Sequence, residues 1–267
     1  MSKAQLVTIL LSVALVFGMY YGCDRIPPKQ KALEQSRSLV AEATDPLVLI
    51  NAAQEELPPA QRNTLANLET ELDNALADSS KVSVLKQLSG RYYEWGFPAV
   101  SGYYAEQIAD LENTEEAWSI AGTTYSIAFQ RSEDEQTRSF ATGRAIRAFE
   151  NAISLNPDNP ANQVNLALVY TENPPEDNPM QGIQLLLELN KEYPDNVYIL
   201  NNLGRLAIQT GQYDRAIERL ERARSQDPEQ VKTICLLAEA YRGAGNTGQA
   251  EQWEEKCQSL RQNASSR

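Results

Sequence analysis

The chain has 267 residues, a formal net charge of −12 and no histidine, and 42% of its residues are hydrophobic. Without histidine it cannot form a Ser-His-Asp triad, a Cys-His pair or an imidazole metal site. Carboxylate-only or Ser-Lys chemistry stays possible in principle, but Asp and Glu fall on solvated helix faces and the three cysteines have no CxxC spacing. We therefore expect no enzymatic activity, no cofactor, no metal site and no small-molecule substrate. The acidic balance also argues against nucleic acid as a partner, because neutralising phosphates requires clustered Lys and Arg.

Residues 1–26 are predicted to be a transmembrane signal-anchor with its flank. Residues 4–23 carry no charge, and a helix of roughly 20 residues crosses a ~30 Å hydrocarbon core. This length favours a retained anchor over a cleaved signal peptide, whose apolar core is usually ~7–15 residues. A lipoprotein signal that ends in Gly22-Cys23 stays open as an alternative. The membrane is thus a predicted partner through residues 4–23.

The orientation of the anchor rests on opposing indications. Arg25, Lys29 and Lys31 follow the apolar run and outnumber Lys3 before it, which would place the rest of the chain in the cytoplasm. A short basic leader before an apolar run is, however, typical of export signals. We expect a single-pass protein of the bacterial inner membrane with its C-terminal part on the periplasmic side.

Residues 27–81 are predicted to form a helical cap region. Asp45-Pro46 should cap and begin one helix after a charged helix at 31–44, and the prolines of 57–59 should separate it from the next. That next helix, within 60–77, carries leucines at near-heptad spacing: Leu65, Leu68, Leu72 and Leu76. Two turns of heptad are too few for a coiled coil. The favoured interpretation is a layer that covers the repeats described below, and a short dimerising helix is the alternative.

Residues 91–104 concentrate six aromatic side chains in fourteen positions. Tyr92 occupies an apolar position of a helical stripe and is expected in the core. Tyr93, Trp95 and Phe97 form a candidate aromatic patch for binding, because exposed aromatic clusters are uncommon on soluble surfaces. Packing around an inter-helix turn is the alternative for these three residues.

Residues 197–228 contain two amphipathic helices joined by a turn at 210–212. Small residues stand where the helices must approach closely. This stretch resembles the tetratricopeptide repeat, a 34-residue helix–turn–helix unit. The residues on the family's signature positions are Leu200, Leu203, Gly204, Ala207, Ala216, Leu220, Ala223 and Pro228. Leu200 and Ala207 replace the usual Trp and Tyr of the first helix.

The same pattern recurs on both sides of this stretch. It predicts an all-α fold, a tetratricopeptide-repeat solenoid of about five units over 82–262, preceded by the anchor and the cap and followed by a polar tail at 263–267. The predicted units are 82–114, 115–159, 160–196, 197–230 and 231–262. In the third unit, Asn178-Pro179 predicts a second helix that begins at about Pro179.

The second unit has eleven extra residues between its two helices. Eleven residues at about 100° each return to within ~20° of three whole turns, so an insertion of this length keeps the apolar face of a helix in register. Residues 132–135 have the form of a capping box. The second helix is therefore predicted to begin near Glu133 and to overhang the solenoid, with Phe140 and Ala141 packed on a lengthened first helix or left for a partner. The alternative is a disordered acidic loop at 131–142.

The resemblance implies that the first helices of successive repeats line a concave groove for an extended peptide or helix of a partner protein. Asn165 and Asn202 could hold the ligand backbone through their amides. Ser119 and Val164 occupy lysine positions of the family's carboxylate clamp, which argues against chaperone-tail recognition. The groove candidates are Glu116, Ser119, Thr123, Val164, Asn165, Leu168, Tyr198, Asn201, Asn202, Arg205, Lys232, Glu239 and Arg242.

Two functions remain open from the sequence. The favoured one is a membrane-anchored scaffold or adaptor that binds a protein or peptide partner of unknown identity in this groove, in bacterial envelope assembly. The alternative is a structural, homo-oligomerising module with no peptide ligand. Cys235 and Cys257 are expected as two small buried hydrophobic side chains, and a disulfide between them is the alternative.

Overall fold

A computed structural model describes Gln5 and residues 45–265 of the chain. Residues 45–265 form twelve α-helices and no strand. The predicted anchor at 4–23 lies outside the described residues apart from Gln5, as does the predicted helix at 31–44. Within the described part, no helix combines the length and the apolar character needed to cross a membrane.

The first two helices, α1 (Pro46–Glu56) and α2 (Pro59–Asn74), belong to the predicted cap region. Asp45 caps α1 as predicted, because its carboxylate accepts a hydrogen bond from the Leu47 amide at 2.9 Å. Leu65 and Leu68 of α2 are buried in a hydrophobic cluster shared with the helices that follow. Leu76 lies beyond the end of α2 and is 96% exposed. The leucine stripe therefore packs within the chain, and the heptad spacing does not continue.

Ten further helices form five antiparallel pairs. Units 1 and 2 are α3 (Asp78–Glu94) with α4 (Pro98–Glu112), and α5 (Glu115–Arg131) with α6 (Glu135–Leu155). Units 3, 4 and 5 are α7 (Pro160–Glu172) with α8 (Gln181–Glu192), α9 (Val197–Gln209) with α10 (Tyr213–Gln226), and α11 (Val231–Gly243) with α12 (Thr247–Ser265). In each pair the second helix packs on the first, and successive pairs stack.

Small residues allow the paired helices to approach, as the sequence predicts. A methyl group added at Gly204 of α9 would lie 2.8 Å from the Leu220 side chain of α10. Ala216 and Leu220 are fully buried in the cluster that joins units 4 and 5. The apolar stripes of the helices therefore face one another across each pair and across neighbouring pairs.

Unit 2 contains the eleven-residue insertion as helix and not as a loop. Helix α5 has 17 residues against 13 in α9, and α6 has 21 against 14 in α10. The extra residues are thus divided between both helices, four and seven, and only 132–134 separate them. Phe140 and Ala141 are buried against α5, where the Phe140 ring meets the edge of Tyr125 at 5.9 Å. The overhang is confirmed and the acidic-loop alternative is wrong.

Three predicted helix ends differ from the structure. The cap of α6 is Asp134, whose carboxylate accepts from the Thr137 amide at 2.7 Å, so α6 begins at Glu135 and not near Glu133. Helix α8 begins at Gln181 and not at Pro179, because the Asn178 carbonyl closes a turn with the Gln181 amide. The last helix continues to Ser265, beyond the predicted unit boundary at 262.

A buried carboxylate ties unit 1 to unit 2. Glu106 of α4 is 3% exposed and accepts a hydrogen bond from the Tyr125 hydroxyl at 2.7 Å. Arg144 and Arg147 of α6 form ion pairs with the same carboxylate, Arg144 at 3.1 Å. A buried charge is tolerated only when it is paired and hydrogen-bonded, so this cluster fixes the position of α6 against α4.

Candidate functional site

The first helices α5, α7, α9 and α11 present side chains that are not used in the core. We call this surface the groove face and define it by two cavities that open on it. The central cavity, of about 250 Å³, lies between α5, α7 and α9. The terminal cavity, of about 680 Å³, lies between α11 and α12.

The central cavity combines four of the predicted residues: Thr123, Asn165, Leu168 and Tyr198. The Tyr198 hydroxyl donates a hydrogen bond to Asn165 Oδ1 at 2.6 Å, which links α9 to α7. Burial raises the pKa of the Tyr198 hydroxyl, so this group stays a neutral donor. Apolar Leu168 and the Asn165–Tyr198 pair together give the cavity the mixed lining that is typical of ligand sites.

Glu172 stands on the rim of the central cavity. Its Oε2 accepts a hydrogen bond from Gln130 Nε2 at 2.8 Å, and its Oε1 lies 3.7 Å from Arg205 Nη2. Arg205, a predicted groove residue, is therefore held at the rim by an ion pair. The helices α5, α7 and α9 each contribute one member of this chain of contacts.

Three more predicted residues, Lys232, Glu239 and Arg242, line the terminal cavity. The Lys232 ammonium lies 5.5 Å from the centre of the Tyr198 ring and 3.5 Å from Asn202 Oδ1. Burial, followed by the nearby Arg205 charge, lowers the pKa of Lys232. Arg242 Nη2 pairs with Glu254 of α12 at 3.1 Å. The groove face is thus cationic where α9 meets α11.

Val164, Asn201 and Asn202 are buried, so their side chains do not lie open on the groove face as predicted. Val164 belongs to the core cluster between units 3 and 4. Asn201 Nδ2 donates to Gln230 Oε1 at 2.7 Å, and Asn201 Oδ1 accepts from Thr233 at 3.0 Å. The reason is that each first helix lies between its own second helix and the next repeat, so a wide arc of its surface is covered. Helical spacing alone does not locate the edges of that arc.

A tetratricopeptide repeat family model matches residues 176–234 and 207–253. These matches cover unit 4 and parts of units 3 and 5. Residues 176–253 contain tetratricopeptide repeats. Repeats of this kind support the description of the chain as a protein–protein interaction scaffold.

The solved structures to which the chain is similar include those of MamA. A crystal structure of MamA protein is 15% identical, with a TM-score of 0.43, and the match covers 69% of this chain and 94% of that one. MamA 41-end from Desulfovibrio magneticus RS-1 is 18% identical, with a TM-score of 0.46, and the match covers 71% and 98%. No curated protein matches the chain. The likeness is too distant to transfer a function to these repeats.

Two predicted groove residues of the first helix of unit 2 lie outside both cavities. Glu116 is exposed and Ser119 is half-buried. Thr123 lies farther along the same helix and does reach the central cavity. Ile127 and Gln130 continue its spacing toward the overhang and also line that cavity. The helical period that identifies Thr123 could have identified both of them.

The candidate aromatic patch is only partly exposed. Trp95 and Phe97 meet the buried Tyr92 ring edge-on, with ring centres 6.3 and 6.5 Å apart, and pack against the core of the cap. Tyr93 is 41% exposed, and the Arg131 guanidinium lies 5.9 Å from the centre of its ring. Trp95 and Phe97 therefore do not form a surface patch with Tyr93, because the turn between α3 and α4 turns them inward.

Cys235 and Cys257 form a disulfide that joins α11 to α12, with their Cα atoms 5.0 Å apart. Both residues line the terminal cavity. The expectation of two unlinked buried thiols is wrong, and the alternative of a disulfide is what the structure contains. Sequence spacing could not decide this, because Cys235 and Cys257 lie on different helices and their distance depends on how those helices pack.

Proposed function

We propose that the chain is a membrane-anchored scaffold whose groove face binds an extended segment of a partner protein. The observation that carries the proposal is the central cavity, because three successive first helices contribute to one site. Side chains of α5, α7 and α9 can therefore contact successive residues of one ligand segment. Leu168 offers apolar contact, and Asn165 and Tyr198 offer hydrogen-bonding groups to its main chain.

The charges on the groove face favour a ligand segment that contains acidic residues. Arg205 and Lys232 lie close enough for the Arg205 charge to lower the pKa of Lys232. The chain as a whole carries a net charge of −12, so this cationic part of the surface differs from the rest. Complementary charge contributes to the choice of partner and to the rate of association.

The proposal places the repeats on the periplasmic side of the bacterial inner membrane, held by residues 4–23, with a part in envelope assembly. The Cys235–Cys257 disulfide supports an oxidising compartment, because structural disulfides are rare in the bacterial cytosol. Alkylation of thiols in whole-cell lysates, with and without prior reduction, tests this placement. We expect both cysteines to react only after reduction; reaction without reductant would contradict the periplasmic assignment.

Charge reversal on the groove face tests the binding proposal. Arg205→Glu combined with Arg242→Glu removes the ion pairs with Glu172 and Glu254, and because such partly exposed pairs contribute about 0–1 kcal/mol each, we expect only a small fall in the thermal midpoint. The same pair should lower the yield of the partner recovered by in-cell crosslinking to the anchored chain by about tenfold. Arg62→Glu combined with Arg91→Glu makes the same charge change away from the groove face and is the matched control. Equal yields from the two double variants would mean that the binding site does not lie on α9 and α11.

A homo-oligomerising module is the second candidate, and the cap region is what favours it. Leu47 and Val48 of α1 are 57% and 56% exposed, and Leu76 is 96% exposed. Light scattering on the purified chain distinguishes the two functions. A monomer that still crosslinks to its partner supports the scaffold. A dimer that Leu47→Asp converts to a monomer, with no partner crosslinked, would support the oligomer.

A further inference from the structure

The overhang of unit 2 contains a cavity of its own. It has a volume of about 240 Å³ and lies between the extra turns of α5 and α6 and the C-terminal end of α7; we call it the overhang cavity. It is lined by Phe129, Gln130, Ser132, Arg138, Glu172 and Asn173. Arg138 lies in the first turns of α6, before Phe140, and units of ordinary length have no counterpart of this segment.

Two residues that line this cavity each have a hydrogen-bond donor that the protein does not use. Arg138 Nε and Asn173 Nδ2 are buried, and neither has a hydrogen-bond partner among the described residues. The backbone amide of Asn173 already donates to the Val169 carbonyl at 2.9 Å and closes α7. A buried donor without an acceptor costs free energy, so the cavity is suited to an occupant that supplies acceptors.

The one carboxylate in the wall is engaged elsewhere. Glu172 Oε2 accepts from Gln130, and its Oε1 lies opposite Arg205. Glu172 is therefore committed to two partners on α5 and α9. The Arg138 guanidinium adds a positive charge on the α6 side of the cavity, and a charged donor strengthens a hydrogen bond to an anionic acceptor.

The overhang cavity is continuous with the groove face. Phe129, Gln130 and Glu172 line both it and the central cavity. A ligand segment in the central cavity therefore has this second cavity beside it, within the reach of one side chain.

We propose that the overhang cavity receives the side-chain carboxylate of an acidic residue in the groove ligand, with Arg138 Nε and Asn173 Nδ2 as donors to its oxygens. This inference rests on the proposed function of the groove face. A carboxylate is the side chain that supplies two acceptor oxygens and a negative charge together. Recognition by the inserted turns would make unit 2 the part of the scaffold that selects which partner segment is bound.

A displayed library of random twelve-residue peptides, selected on the purified full-length chain, tests the proposal. We expect the selected peptides to share one fixed position that is Asp or Glu, at a constant distance from apolar positions. For a selected peptide with a fluorescent label, replacing that acidic residue by Gln or Asn should weaken binding by about tenfold or more, as loss of a charged hydrogen bond does. Peptides selected without a fixed acidic position would overturn the inference and leave the groove proposal standing.

Three variants of the chain complete the test. In Arg138→Gln, the selected peptides should no longer share an acidic position, although their apolar positions should still be selected. The affinity of this variant for the labelled peptide should fall by about tenfold. Arg62→Gln, at an exposed position on α2 outside the cavity lining, is the matched control. It should change neither the acidic preference nor the affinity for the labelled peptide. Asn173→Asp replaces the amide donor by a carboxylate, so it should also abolish the preference. An unchanged acidic preference in Arg138→Gln and Asn173→Asp would overturn the proposal. Selection of no peptide at all would refute the groove function and this inference with it.

Discussion

Unit 2 and unit 4 are two copies of one repeat with different lengths. Both have a three-residue link between their helices, and both have glycine at the point of closest approach, Gly122 and Gly204. Unit 2 adds one turn to its first helix and two turns to its second. The comparison teaches that the repeat can gain surface at one end without a change of register. In unit 2 the added surface carries the overhang cavity.

The largest expected effect concerns whether the overhang belongs to the core. Phe140 is 1% exposed, so Phe140→Ala should lower the free energy of unfolding by about 3–5 kcal/mol. Leu220→Ala in unit 4 should cost about 2–5 kcal/mol for the same reason. Urea unfolding followed by circular dichroism measures both. Leu155→Ala, at a 42% exposed position on the same helix as Phe140, is the control. If Phe140→Ala costs no more than this control, the overhang is not a packed extension of the repeat.

The two glycines should respond differently to the same substitution. A methyl group at Gly122 would lie 2.7 Å from the Phe149 ring, whereas at Gly204 it would lie 2.8 Å from the Leu220 side chain. A rigid aromatic ring has less freedom than a leucine side chain to move aside by a change of rotamer. Gly122→Ala should therefore cost about 1–3 kcal/mol through overpacking. For Gly204→Ala we expect less than about 1 kcal/mol, since alanine also improves the helix propensity. Thermal unfolding of the two variants side by side checks the order; a costlier Gly204→Ala would show that unit 4 is packed more rigidly than unit 2.

The smallest effect concerns how the two second helices begin. Asp134 caps α6, and its hydrogen bonds from the Thr137 hydroxyl and amide lower the pKa of the Asp134 carboxyl. Helix α10 starts after Gln212, which makes no side-chain cap. Because the folded-state pKa is depressed, the capping contribution is complete above the ordinary Asp value of about 3.9 and is lost as the pH falls through the lower folded-state pKa. The first turn of α6 should therefore depend on pH through a side-chain cap that α10 lacks.

NMR titration of the Asp134 carboxyl carbon and the Thr137 amide measures this effect directly. Both signals should change together, with a midpoint below the ordinary Asp range. Asp134→Asn keeps an acceptor at the cap and should remove the titration. A midpoint at or above the ordinary value would mean that the cap does not form in solution.

The sequence by itself determined the helices. Periodic apolar positions, the Asp45-Pro46 start and the breaks at prolines are local features, and local hydrogen bonding and side-chain spacing decide them. The eleven extra residues of unit 2 could be predicted as added turns for the same reason, because they return to the starting face of the helix. The small residues at Gly204 and Ala216 likewise indicated where the helices meet.

Only the tertiary structure decided which side chains of those helices remain available. Val164 and Asn201 share the spacing of groove residues, yet neighbouring repeats cover them. Trp95 and Phe97 turn inward beside Tyr92, and Cys235 meets Cys257 across two helices. Arg138 and Asn173 come from different repeats, and nothing in either segment alone indicates a shared cavity. Burial and the meeting of distant residues depend on how repeats stack, and a helical period specifies a direction around one axis without specifying its neighbours.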